Sequence, residues 1–152
     1  MRIMRKPVTN AVFIAVISVF YATVFIIISG HIEFERMLNH KQTLNSAFWN
    51  EWSVFLKEGN MKYIGLIYLI LAAAVVFLSL MRRKNYDEYQ ISILAKSFIT
   101  AGTVMVFLFP LALLLVLSDP NYSIETIMFL VVAHWSAFLI ADLFLVIRWC
   151  KS

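Results

Sequence analysis

Residues 63–81 read YIGLIYLILAAAVVFLSLM, and the basic triplet Arg82-Arg83-Lys84 follows directly. No charged residue interrupts this stretch. At a rise of ~1.5 Å per residue, a helix of this length spans the hydrocarbon core of a bilayer. Because Lys and Arg resist transfer into lipid, the triplet marks the end of the span. The stretch therefore predicts a membrane-spanning helix at about 62–81.

Three other apolar stretches have a similar length and predict spans at about 11–30, 97–118 and 124–147. Pro110 lies inside the third of the four spans and removes one backbone hydrogen bond, which in a membrane helix usually produces a kink rather than an end. The chain is therefore predicted to be a single membrane domain over 1–152, an all-α antiparallel bundle of four transmembrane helices.

Composition supports this class, because 62% hydrophobic and only 14% charged residues leave too little polar surface to cover a soluble globule. Cys150 is the only cysteine, so an internal disulfide or a thiol relay is excluded.

Polar residues before the third span predict that its helix begins in water. Asn85 is a suitable N-cap, and Glu88 follows three residues later at the spacing of a capping box. The amphipathic residues 86–96 predict a cytoplasmic extension of this helix.

The long loop between the first two spans carries an amphipathic pattern. Its apolar residues recur at helical spacing, whereas Asn50, Glu51, Ser53 and Lys57 fall largely on other faces; the apolar set is Leu44, Phe48, Trp52, Phe55 and Leu56. We expect a helix at about 43–58 in the headgroup plane, anchored by Trp49 or Trp52 and ended by Gly59-Asn60. It would either cap the bundle or guide a partner or substrate.

Positive charge is distributed unevenly over the predicted loops. Lys and Arg accumulate before the first span, in the triplet at 82–84 and after the fourth span, whereas the loop at 31–62 offsets its cations with Glu. Both termini are therefore predicted to be cytoplasmic. This rule also accounts for the net charge of +4 without a nucleic-acid partner. The compactness of the chain and the lack of eukaryotic sorting signals in it favour a plasma membrane of bacterial type.

Two polar residues of the fourth span are candidates for function, because polar groups are costly inside a membrane. His134 and Asp142 lie ~12 Å apart along the helix and within ~80° of each other around it. Ala133, Ala137 and Ala141 form a small-residue ridge on the same side. This side is expected to face the bundle interior or another subunit.

Depth in the membrane suggests partners for these two residues. Asp142 should lie close to the level of Thr100 and Thr103, with Lys96 near enough to form an ion pair through its flexible stem. His134 should lie near Tyr21, which could donate a hydrogen bond to it. The candidate polar site is therefore Asp142, His134, Lys96, Thr103 and Tyr21, either as packing contacts, as a proton or ion path, or as a ligand pocket.

Motifs for cofactors and catalysis are missing. No histidine pair shares one depth as a metal or haem site would require, and phosphate loops, nucleophile elbows and zinc motifs are absent, so no cofactor is predicted. Ala141-Asp142 in a four-span chain superficially resembles lipoprotein signal peptidases, but the second aspartate of those enzymes, in a Gly-Asn-x-x-Asp-Arg setting, is absent. Phe34-Glu35-Arg36 resembles the membrane glutathione-transferase and eicosanoid family, whose later arginine- and tyrosine-rich segments are also absent.

Three functional hypotheses remain. The first is a non-enzymatic accessory, regulatory or immunity-type subunit that associates through its helices with a second copy or another membrane protein. The second is a small oligomeric transporter or channel subunit, with a proton or cation path marked by Asp142 and His134. The third is a small membrane-embedded enzyme, which would need another polar group converging on one of these residues.

Overall fold

The computed structural model describes residues 6–38, 46–82 and 84–150. Every regular element within these ranges is helical. The helices are α1 Pro7–Ser29, α2 Ile32–Leu38, α3 Ala47–Lys57, α4 Met61–Met81, α5 Glu88–Ser118 and α6 Ser123–Cys150, with a 3₁₀ turn at Pro120–Tyr122 before α6.

Four helices are long and apolar enough to cross a membrane: α1, α4, α5 and α6 with the turn before it. This confirms the prediction of an all-helical chain with four such segments. Pro110 lies inside α5 without ending it, as expected for a proline in a membrane helix.

The tightest contact between long helices joins α1 and α4. A Cβ atom built on Gly65 would lie 3.1 Å from the carbonyl oxygen of Ala22, so the two backbones approach closely at this point. Phe25 and Tyr68, both buried, contact each other nearby with ring centroids 5.7 Å apart. Small residues at a crossing allow this close packing, which compensates for the weak hydrophobic drive between helices in lipid.

α6 packs beside α4 and also contacts α1 and α5. The Tyr68 hydroxyl of α4 donates a hydrogen bond to the carbonyl oxygen of Val132 at 2.9 Å. The Trp135 indole of α6 lies 5.4 Å from the Tyr21 ring of α1. α6 therefore contacts each of the other three long helices.

Side-chain contacts define two ends of the molecule. At the terminal end, the start of α1 meets the end of α6, and Arg82 after α4 binds Gln90 at the start of α5 through a 2.7 Å hydrogen bond. At the loop end, α3 contacts the start of α6, where Tyr122 donates a hydrogen bond to Asn50.

The N-cap of α5 is Asp87, so the prediction of Asn85 with Glu88 is wrong. Asp87 accepts from the Gln90 backbone N–H at 2.7 Å, and the Gln90 side chain accepts from the Asp87 backbone N–H at 3.2 Å. This reciprocal pair is a capping box with Asp and Gln in place of Asn and Glu. Arg82 favours this register because it also binds the Gln90 side chain.

α3 is the observed helix of the predicted 43–58 segment, of which Leu44 lies outside the described residues. Its buried residues are Ser53 and Leu56, whereas Phe48 is half exposed. The buried face is therefore rotated toward Ser53, which sequence periodicity had placed on another face. The reason is a hydrogen bond from Ser53 to Glu125 in α6.

Candidate functional site

Asp142 forms the most deeply buried polar contact near the terminal end. Its side chain is 3% exposed, and both carboxyl oxygens accept from the Asn10 side-chain nitrogen, at 3.0 and 3.1 Å. Asn10 lies one turn into α1 and is also buried. The Asn10 carbonyl oxygen Oδ1 has no hydrogen-bond partner among the residues that the structure describes. The contact therefore retains one unused buried acceptor.

The expected contact of Asp142 with Lys96 or Thr103 on α5 is wrong. Asp142 faces α1, and its hydrogen bonds go to Asn10. Thr103 is exposed and donates to the Ile99 carbonyl oxygen of its own helix at 2.8 Å. The error has a geometric cause, since successive residues of a helix point ~100° apart and it is Ala141 that faces α5.

His134 does not join Asp142 in one site. It is partly buried and lines a groove between α5 and α6. The expected partner Tyr21 instead contacts the next residue along, Trp135. The structure thus divides the predicted polar site into an inner contact, Asn10–Asp142, and an outer groove with His134 and Lys96.

The groove between α5 and α6 has a volume of about 530 Å³. Ala133, Ala137 and Ala141 form its floor on α6, and all three are exposed. On α5 its wall runs from Ile93 to Leu108. The ridge of alanines predicted from the sequence therefore leaves a space between two helices instead of closing it.

Further polar contacts lie inside the helix packing. Trp135 donates from its indole to the fully buried Ser18 hydroxyl at 3.3 Å. One residue along α6, the Ser136 hydroxyl lies 3.0 Å from the Tyr68 hydroxyl. These contacts join α6 to α1 and to α4 at the middle of the molecule.

Glu125 is the buried acid of the loop end. Its side chain is fully buried, and the Ser53 hydroxyl donates to its carboxyl oxygen at 2.8 Å. The Trp52 indole donates to the Glu125 backbone carbonyl oxygen at 2.9 Å. The two bonds fix α3 on the start of α6, and Phe129 adds edge-on contacts to Trp49 and Trp52.

Sequence reasoning missed Asn10, Ser18 and Glu125 as buried polar residues. Asn10 directly precedes an uncharged run and so resembled an interfacial residue. Glu125 resembled an ordinary first-turn acid, which stabilises a helix without burial. One signal was available for Asn10, since counting from the turns places it at the depth of Asp142.

A second, more polar cavity of about 350 Å³ lies at the terminal end between α5 and α6. Arg148, Trp149 and Gln90 contribute to its walls. Beside it the Arg82 guanidinium lies 4.8 Å above the Tyr86 ring, and this ring meets Trp149 edge-on. In the described ranges no three His, Cys, Asp or Glu side chains lie close enough together to hold a metal ion.

Comparisons with protein-family models, with curated proteins and with solved structures found no match to this chain.

Proposed function

We propose that the chain is a non-enzymatic accessory or regulatory subunit, of the kind that includes immunity proteins, and that it acts by helix–helix association in a plasma membrane. In this proposal the four long helices form an antiparallel bundle. α3 lies at the outer interface, and both termini are cytoplasmic. The proposal rests on one helix in particular, α5.

The observation that carries the proposal is the poor burial of α5. This helix has 31 residues, of which only Gln90, Ile91, Leu94 and Ala112 are buried. Three of those four belong to its first two turns. α6 holds the start of α5, and Phe13 of α1 contacts Phe98 edge-on. The second half of α5 presents nearly all of its side chains outward.

An outward stripe on α5 has the spacing of a helix–helix contact. Its members, separated alternately by three and four residues, are all exposed: Ile99, Gly102, Val106, Phe109 and Leu113. A Cβ atom built on Gly102 would have no neighbour within 4 Å, so a partner backbone could approach here. The stripe carries no charge, which makes it compatible with a second copy of itself as well as with another apolar helix.

Site-specific photo-crosslinking in native membranes tests this proposal. A benzophenone side chain is placed at Val106, which is 69% exposed, or at the control position Ile70 on α4, which is 68% exposed. We expect a discrete crosslinked product from Val106 and a several-fold lower yield from Ile70. The mass of the product crosslinked at Val106 shows whether the partner is a second copy of the chain or a different membrane protein.

A substitution at the point of close approach provides the second measurement. Gly102→Ile should fill the point of close approach and reduce the Val106 product, whereas Ala73→Ile on α4, also at an exposed position, should not. Equal crosslinking at Val106 and Ile70, unaffected by Gly102→Ile, would contradict association through α5.

A proton or cation path is the second candidate, and the Asn10–Asp142 contact favours it. Carboxyl groups inside a membrane recur along such paths. A space of about 170 Å³ lies beside Asn10 between α1 and α5, large enough to admit water next to a polar side chain. His134 lies outside this path, since it lines the groove between α5 and α6, on the face of α6 next to the one that carries Asp142.

Flux measurements distinguish this candidate from the first. In vesicles containing the purified chain, Asp142→Asn should lower proton or cation flux at least about tenfold, as expected when the carboxyl group at this point is removed. His134→Gln, as the control, should leave flux unchanged. Flux equal to that of empty vesicles before any substitution would rule the candidate out.

A further inference from the structure

We infer that the seam between α5 and α6 binds one anionic phospholipid, with its phosphate at the terminal end and an acyl chain along the alanine ridge. The inference does not depend on the association proposed above, because the seam and the outward stripe occupy opposite faces of α5. Residues 93, 97, 100, 104 and 108 face the seam, and on a helix they point ~180° from the stripe.

The first observation is that the two cavities of the seam adjoin each other. Ile93 lines both the polar cavity at the terminal end and the apolar groove. Their volumes, about 350 and 530 Å³, lie individually in the range of ~300–1,000 Å³ that is usual for ligand sites. The two cavities thus meet at Ile93, and the seam is polar at the terminal end and apolar beyond it.

The second observation is where the cations lie. Arg148 lines the polar cavity and Lys96 lines the groove beneath it. Counting along the helices from the turn that joins them, the two residues differ in depth by only ~5 Å. In the part of the chain that the structure describes, no carboxylate pairs with either of them. Two cations at headgroup depth fit a phosphodiester, and Thr100, one turn along α5 from Lys96, supplies a hydroxyl donor.

The acid in the polar cavity does not oppose this assignment. Asp87 lines the cavity but its carboxylate accepts the Gln90 backbone N–H at the start of α5. The positive end of the helix dipole therefore offsets part of its charge. The charged side chains that line the seam are Asp87, Lys96 and Arg148, so their summed charge remains positive.

The apolar part of the seam identifies a lipid rather than a free phosphate. Beyond Thr100 the groove is lined by Val104, Leu108, Ala133 and Ala137, with His134 as its deepest polar group. An acyl chain would cover the exposed alanines and needs no polar group opposite it. A water-soluble anion would gain nothing from this surface.

Native mass spectrometry of the purified chain in detergent tests the inference. Phosphatidylglycerol should be retained about tenfold more than phosphatidylcholine of the same chain length, since each basic residue adds attraction to an anionic lipid. Lys96→Gln with Arg148→Gln should abolish the preference. The control Lys57→Gln with Lys62→Gln removes the same charge at the loop end and should preserve it.

The acyl part is tested separately. Ala137→Trp should lower retention of long-chain phosphatidylglycerol several-fold, while Ala73→Trp on the exposed face of α4 should not. Glycerol phosphate should not be retained by any form. The inference is overturned if the double Gln variant keeps its preference, if Ala137→Trp has no effect, or if glycerol phosphate binds as well as the lipid. Unchanged circular dichroism and thermal unfolding of each variant establish that the fold is intact.

Discussion

At the scale of single residues, a few buried polar contacts fix how the apolar helices are rotated against each other. Leu and Val side chains fit lipid and protein nearly equally well, so apolar surface alone selects no particular face. A carboxyl group facing lipid is unfavourable by ~2.5–3.5 kcal/mol on insertion scales. Asp142 therefore has one favoured direction, toward Asn10, and it sets the rotation of α6 relative to α1.

A double-mutant cycle tests this contact. Asn10→Leu removes the amide donor from a buried carboxyl group and should lower the free energy of unfolding by about 1–3 kcal/mol. Adding Asp142→Leu should restore part of this loss, because no polar group is then left buried without a partner. Unfolding by denaturing detergent, followed by circular dichroism, gives both values.

Thr23→Leu is the matched control on α1. Thr23 is exposed and donates only to the Val19 carbonyl oxygen of its own helix, so its loss should change stability little. A double variant less stable than Asn10→Leu alone would show that the Asn10–Asp142 contact does not orient α6.

At the scale of elements, the loop end depends on one glycine between α3 and α4. Gly59 has a φ of +69°, a conformation that other L residues adopt only at a cost. A Cβ atom there would also lie 2.7 Å from the Ser29 carbonyl oxygen at the end of α1. The glycine therefore allows the first turn of α4 to lie against the last turn of α1.

Three alanine substitutions should separate these effects. Gly59→Ala combines an unfavourable φ with a backbone clash and should cost the most, about 1–3 kcal/mol. Gly65→Ala meets the Ala22 backbone at 3.1 Å and should cost less. Gly30→Ala, with nothing within 4 Å of the added Cβ atom, should be nearly neutral. The same detergent unfolding assay ranks them, and a neutral Gly59→Ala would contradict the role of this turn.

The sequence predicted the elements better than their contacts. The length of an uncharged apolar stretch is enough to predict a membrane-spanning helix, so all four segments were recognisable. Pro110 was correctly placed inside one of them. The sequence predicted less well which face of each helix is buried, because this depends on the polar side chain of the neighbouring helix that lies opposite. An acid favours a basic partner, so the sequence predicted Lys96 on α5 opposite Asp142, whereas the neutral amide of Asn10 gives no comparable charge signal. Ser53 was assigned to the wrong face of α3 because its acceptor, Glu125, is distant in sequence.

At the scale of the whole molecule, charge distinguishes the two ends. Lys6, Arg82, Lys84 and Arg148 lie toward the terminal end, whereas the described loop end mixes cations with acids such as Glu51 and Glu58. Because positive residues resist translocation, this asymmetry favours a cytoplasmic terminal end. The same end carries the Asn10–Asp142 contact and the polar mouth of the α5–α6 seam, so both would be reached from the cytoplasm.

Cysteine labelling in intact cells tests this orientation. In a Cys150→Ser background, single cysteines replace the exposed residues Glu51 at the loop end and Lys84 at the terminal end. A membrane-impermeant maleimide should label the Glu51 position before permeabilisation and the Lys84 position only afterwards. In the Glu51→Cys variant, replacing Arg82, Arg83 and Lys84 with Gln should reduce labelling of the new cysteine. The charges of the triplet favour retention of the terminal end in the cytoplasm, and without them part of the protein should insert in the reverse orientation. The reverse labelling pattern would place the Asn10–Asp142 contact and the polar mouth of the α5–α6 seam on the outer side. It would also exclude a cytoplasmic source for the lipid of the seam.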